Sequence, residues 1–225
     1  MSRRTIGFFG DSFCAGPEPE SWCVILAKKL EATIMHWGEP GRSIWSTFIN
    51  FKNYRLKHKL PDFIVFCYTE PFRLYHPKIV LSANTEPLPD VDPKVYKALD
   101  DYWVHLHSYE KDMLSYEYAL KWFDHDVLSK ITTDKTVVQC WSFRPFETCN
   151  TKIDFDLKSG IFIDESMYKL SVEDRPDLYK QGMPKPWIKD TTFNHMTAEQ
   201  NEYWANKVYQ RIKEYHEQQN RHKLS

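Results

Sequence analysis

The sequence predicts a single three-layer α/β/α domain built around a parallel sheet. Short apolar runs at residues 6–9, 33–35, 63–68 and 136–141 read as strands, and segments with helical apolar spacing lie between them. This alternation is the signature of a parallel sheet covered by helices on both faces. The 225 residues contain no internal repeat and no low-complexity linker, so residues 1–225 are expected to form one domain. Hydrophobic residues make up 42% of the chain and aromatics 16%, enough for a sizeable core and too much for disorder.

The first strand ends at Gly10-Asp11-Ser12, a glycine, an acid and a serine in a turn. Helix entry follows at Pro17-Glu18-Pro19-Glu20-Ser21, with Trp22, Ile25, Leu26 and Leu30 on one face through about residue 31. The short second strand, 33–35, leads into Gly38-Glu39-Pro40-Gly41. Ser43 then caps a helix running to about Lys57, whose buried face carries Ile44, Phe48 and Phe51. Residues 63–68 are apolar without interruption, as expected of a central strand buried on both faces. Prolines at 71, 77, 87, 89 and 93 mark residues 69–92 as a long lid or binding loop.

Two aromatic-rich helices, broken near Ser108, are expected over 93–131, followed by the strand 136–141. Residues 142–189 read as irregular, with Gly160, Ile161, Phe162 and Ile163 forming a small edge strand. Thr197 and Gln200 form a capping-box pattern that opens the last helix. Its buried face is expected at Tyr203, Trp204, Val208 and Ile212, and its charged tail, 213–225, is expected to fray.

Composition excludes several classes of function. The net charge is −1, which supplies no field for nucleic acid or anionic membrane. No apolar stretch approaches the ~20 residues of a membrane span, and the N-terminus enters a strand without a signal-peptide pattern. Cys14, Cys23, Cys67, Cys140 and Cys149 are scattered, odd in number and without a C-x-x-C pair. They suit reduced thiols in a cytoplasmic setting better than a disulfide framework or zinc site. His105 and His107 lie two apart within a helical pattern, where they point to different faces, so no metal is expected there.

The chemistry sits at the two ends of the chain. Ligands of open α/β sheets bind outside the carboxyl ends of the strands. Ser12, Gly41, residues 69–73 and residues 141–144 each follow a predicted strand, and His195 precedes the final helix and can return to the same edge. A serine on a tight turn offers a nucleophile, and the backbone N–H groups of Ser12 and Gly41 offer an oxyanion hole. His195 would take the Ser12 proton as general base and return it to the leaving group, with Asp190 as the nearest acid to orient the imidazole.

These residues resemble the SGNH (GDSL-type) hydrolases, a family of esterases, lipases and carbohydrate deacetylases. Gly10-Asp11-Ser12 matches the first block of that family, Gly41 the second, and Asp190 with His195 the last. The resemblance implies a flavodoxin-like parallel sheet, an acyl-serine intermediate, no cofactor, and a small-molecule or carbohydrate ester as substrate. Two positions depart from the pattern. Where the third block supplies an oxyanion-hole asparagine, this chain reads Tyr68-Thr69-Glu70-Pro71-Phe72-Arg73. The Thr69 hydroxyl or a backbone N–H would have to substitute, and Arg73 would bind an anionic group of the substrate. The acid three residues before the histidine is Thr192 here, while Asp190 lies five before it. The Thr-Glu-Pro segment and the Asn-His-Met-Thr ending also look like bacteriophage-encoded SGNH-type proteins. The rival reading is a non-catalytic binding or assembly module that keeps the scaffold, which both departures support. Arg144, at the end of the fourth strand, reads as a second anion-binding position or as a surface ion pair.

Overall fold

A computed structural model describes residues 3–76, 79, 89–144, 155–172 and 195–224. Five strands form one sheet: β1 (Arg4–Phe9), β2 (Ala32–His36), β3 (Phe63–Tyr68), β4 (Thr136–Trp141) and β5 (Ile161–Ser166). All neighbouring strands pair in parallel, in the order β2-β1-β3-β4-β5. This is the flavodoxin-like order, and its direction reverses between β1 and β3, where a crevice opens beyond the strand ends.

Alternation along the strands divides the core into two layers. Ile6, Phe8, Phe63, Val65, Cys67, Val138 and Cys140 point to one face. There they meet α1 (Trp22–Lys29), α5 (Met167–Val172) and α6 (Ala198–Leu224). Phe9, Ile64, Phe66, Tyr68, Val137 and Trp141 point to the other face, against α2 (Ile44–Lys57) and α4 (Tyr109–Trp122). The arrangement is the expected three-layer α/β/α sandwich. A further helix, α3 (Pro93–His105), precedes α4, and its start is set by the Asp92 cap and Pro93 in the first turn.

Every residue of β3 and β4 is buried, which is why both read as unbroken apolar runs. The exception is Gln139, a fully buried polar residue in mid-strand. Its amide is satisfied by the Tyr68 hydroxyl at 2.6 Å, Asp124 Oδ1 at 2.6 Å and the Ser159 carbonyl at 2.8 Å. Asp124 lies on a short π-helical stretch, Phe123–Val127, that prolongs α4.

Four expectations need correction. Tyr203, expected on the buried face of the last helix, is instead about half exposed. The edge strand is longer than residues 160–163, because it runs Ile161–Ser166 parallel to β4, with a register shift between Cys140 and Trp141, and leads directly into α5. Within the described residues 155–172, the stretch after residue 142 is therefore less irregular than its composition suggests. The C-terminal tail does not fray from residue 213, since α6 continues to Leu224. Its extra turns are held from the side: Tyr215 packs against the core, the His216 ring stacks on Phe63, and His216 Nε2 meets Thr136 Oγ1 at 2.8 Å. Polar composition hides this anchor, because Tyr215 and His216 stand among charged and amide side chains.

Candidate active site

The chain closes onto itself at the carboxyl edge of the sheet. After β1, Asp11 caps a single 3-10 turn, Ser12–Cys14, by accepting the Phe13 N–H at 3.1 Å. Phe13 is fully buried, and its carbonyl accepts Trp22 Nε1 at 2.6 Å, which fixes the turn to the start of α1. The same end of α1 receives α6: Trp22 N–H donates to Asn201 Oδ1 at 2.9 Å, and Asn201 Nδ2 donates to the Met196 carbonyl at 3.0 Å. Thr197 and Gln200 form the capping box, with contacts of 2.9 and 3.2 Å. Residue 195 is thereby delivered to the Ser12 turn by α6 docking on α1, from 183 positions away in sequence.

His195 Nε2 lies 2.8 Å from Ser12 Oγ, and its ring centroid lies 5.0 Å from that of Phe13. His195 has φ +66°, a left-handed conformation in which few non-glycine residues are found, histidine among the commoner of them. Such conformations persist where the surrounding structure over-determines them, and Met196 beside it is fully buried. Burial pushes the His195 imidazole below its ordinary value; the nearby Asp11 charge raises it and Arg73 lowers it. The net effect favours the neutral ring, which can accept a proton.

The loop carrying Gly41 packs on the serine turn through its backbone. Gly38 N–H donates to the Cys14 carbonyl and Glu39 N–H to the Gly10 carbonyl, both at 3.0 Å. A Cβ on Gly38 would meet Cys14 Sγ and lie 2.7 Å from the Asp11 carbonyl, so only glycine fits this approach. Gly41 has φ +70° and turns the chain toward the Ser43 cap of α2. Glu39 spans this loop, accepting Arg42 Nε at 2.7 Å and Asn50 Nδ2 at 3.0 Å.

Thr69 follows β3 and is buried; its carbonyl accepts the Tyr116 hydroxyl. Its own hydroxyl is buried without a hydrogen-bond partner among the described residues. Arg73 is directed inward: Nε donates to Glu70 Oε1 at 2.9 Å and Nη1 to Asp11 Oδ2 at 3.4 Å. Its guanidinium also lies 5.3 Å from the centre of the Phe143 ring. Arg144, the other candidate anion-binding residue, pairs with Asp164 at 2.5 Å. Asp190 lies outside the described residues.

Sequence reasoning gave no role to Asp11 or Ser142. Asp11 is fully buried, and its Oδ1 accepts the Ser142 hydroxyl at 2.7 Å. The only sequence signal for Asp11 was its place before the serine, and Ser142 carried none beyond following a strand.

No family model matches the sequence, and comparison with curated proteins finds no match. The chain is similar to a solved structure. That structure is a "putative GDSL-like lipase" from Parabacteroides merdae, 14% identical at a TM-score of 0.42, with 91% of this chain and 96% of that one covered. The fold assignment above rests on the sheet itself. Among the described residues, no helix is long and apolar enough to cross a membrane.

Proposed function

We propose that this chain is a serine esterase or O-deacetylase of the SGNH type, a single domain acting on a small-molecule or carbohydrate ester. The observation that carries the reading is the 2.8 Å contact between Ser12 Oγ and His195 Nε2, made between a turn after β1 and a strained residue before α6. Ser12 Oγ forms a bond to the ester carbonyl carbon while its proton passes to His195 Nε2. The carbonyl electron pair becomes an oxyanion, for which the backbone N–H groups of Ser12 and Gly41 are the candidate donors. The buried Thr69 hydroxyl, which lacks a partner among the described residues, stands as the third donor. Collapse of this intermediate expels the alcohol, which takes the proton from His195 and leaves an acyl-serine that water hydrolyses by the same route.

Asp190 is the proposed acid behind the imidazole. Arg73 is held within the site by two carboxylates, which already engage its guanidinium. The four described cysteines are unpaired and buried, in keeping with a reducing, cytoplasm-like compartment. Hydrolysis of p-nitrophenyl acetate by the wild type, Ser12→Ala and His195→Ala tests the proposal. Turnover that falls to background in both folded variants supports it. Equal inactivity of all three, with no labelling of Ser12 by a fluorophosphonate, favours the non-catalytic module.

A further inference from the structure

The site contains a buried carboxylate that the steps above do not use. Asp11 is one residue before the nucleophile and fully excluded from solvent. A carboxylate in that position is costly unless its lone pairs and its charge are met. Three strand ends meet them. The turn after β1 supplies Phe13 N–H at 3.1 Å, the segment after β4 supplies the Ser142 hydroxyl at 2.7 Å, and the segment after β3 supplies Arg73 at 3.4 Å. The last two segments are themselves tied together, because the Tyr68 carbonyl accepts the Ser142 N–H at 2.8 Å. Arg73 is only 12% exposed and is braced by Glu70 and the Phe143 ring, so it is held against Asp11 rather than offered to solvent.

Building on the reading of Ser12 and His195 as nucleophile and base, we propose that Asp11 is the positioning residue of this site. Its carboxylate fastens the Ser12 turn to the ends of β3 and β4 and is a standing negative charge against which His195 becomes protonated. It takes no proton itself. When the Ser12 proton moves to Nε2 and the imidazole turns positive, the fixed anion stabilises that state through space. Arg73 both neutralises Asp11 in its buried position and limits its field at His195. Among the described residues, Asp11 and Arg73 are the charged groups that act on this ring. Ser142 orients the carboxylate and contributes no net charge.

Titration of the His195 ring by NMR tests this, since it needs no turnover. Asp11→Asn keeps the acceptor oxygen and removes the charge, so the His195 pKa should fall below that of the wild type. A variant that merely loosened the site would let water reach the imidazole and move its pKa up, toward the ordinary value. Arg73→Gln should raise the His195 pKa, while Arg73→Lys, which keeps the charge, should leave it near that of the wild type. An unchanged or raised pKa in Asp11→Asn overturns the proposal, as does an equal rise in both Arg73 variants. Loss of the esterase reading is seen separately, as an inactive wild type whose His195 still titrates in this pattern.

Discussion

Both ends of this sheet carry a histidine 2.8 Å from a hydroxyl. At the carboxyl edge His195 meets Ser12, and at the amino edge His216 meets Thr136. Each pair lies near an aspartate, Asp11 in the first case and Asp62 in the second. At the amino edge a cavity of about 480 Å³ is lined by both members of the pair together with Arg4, Asp62 and Lys135. The resemblance ends with the backbone. Thr136 opens a central strand, with its N–H bonded to the Asp62 carbonyl at 3.0 Å, and His216 lies within a continuous helix. Ser12 sits on a 3-10 turn, and His195 has positive φ. Asp62 is about half exposed and joins the start of β1 to β3 through Thr5, whereas Asp11 is buried and joins three loops. At the amino edge, the histidine–hydroxyl contact thus anchors a helix to the sheet. A turn, a strained histidine and a sealed carboxylate around such a contact are what make the carboxyl edge a candidate for chemistry.

The contrast can be broken most sharply by paired substitutions. Ser12→Ala and His195→Ala should each lower esterase turnover by about 1,000-fold or more, while Thr136→Val and His216→Ala should leave it within about twofold of wild type. Kinetics with p-nitrophenyl acetate on folded variants measures this. Comparable losses at both edges would mean that global stability, and not a site, is being read.

Next in size is Gly38→Ala. The added methyl has no room against Cys14 and the Asp11 carbonyl, so unfolding in urea should show a loss of about 2 kcal/mol together with reduced turnover. A neutral result would show that the loop is not seated on the serine turn.

The two histidines also differ in what their titration controls. Burial holds His195 and His216 both below the ordinary imidazole value, aided at His216 by the Arg4 charge. A base must be neutral to act, so the acidic limb of kcat/KM should lie below about pH 6.5. Both histidines favour the neutral form when folded. Their contribution to stability is therefore complete above the unfolded value and is lost as pH falls from about 6.5 toward the folded one. His216→Ala should flatten part of that stability profile without moving the kinetic limb. A limb above pH 6.5 would contradict a desolvated base.

The smallest effect is expected at Asp62. Partial burial alone would raise its carboxyl, yet the Thr5 N–H and hydroxyl and the Lys135 ammonium carry it below the ordinary value. Its contribution is present above the unfolded value and is lost as pH falls through the folded one. Because Asp62 is half exposed, Asp62→Asn should cost less than about 1 kcal/mol at neutral pH, as read by denaturant melts.

Much of the architecture was legible because it is written locally. β3 announces itself as an unbroken apolar run and β4 as an apolar run interrupted at Gln139, the Ser43 and Thr197 caps start their helices, and Ser12 and His195 stand out as a turn serine and a helix-entry histidine. What escaped was tertiary. Asp11, Ser142 and Arg73 come together from three strand ends, and nothing in their separate neighbourhoods signals a shared bond. Gln139 looked like an ordinary strand residue until Asp124, Ser159 and Tyr68 were found around it. The persistence of α6 depends on two side chains, Tyr215 and His216, reaching back to the sheet from a stretch that otherwise reads as solvated.

The central claim is that Ser12 is a nucleophile activated by His195. Mass spectrometry of the protein after treatment with a fluorophosphonate tests it most directly. A single phosphonyl adduct on Ser12 is expected in the wild type, and its loss in folded His195→Ala. An unmodified Ser12, or an adduct that forms equally well without His195, would contradict it.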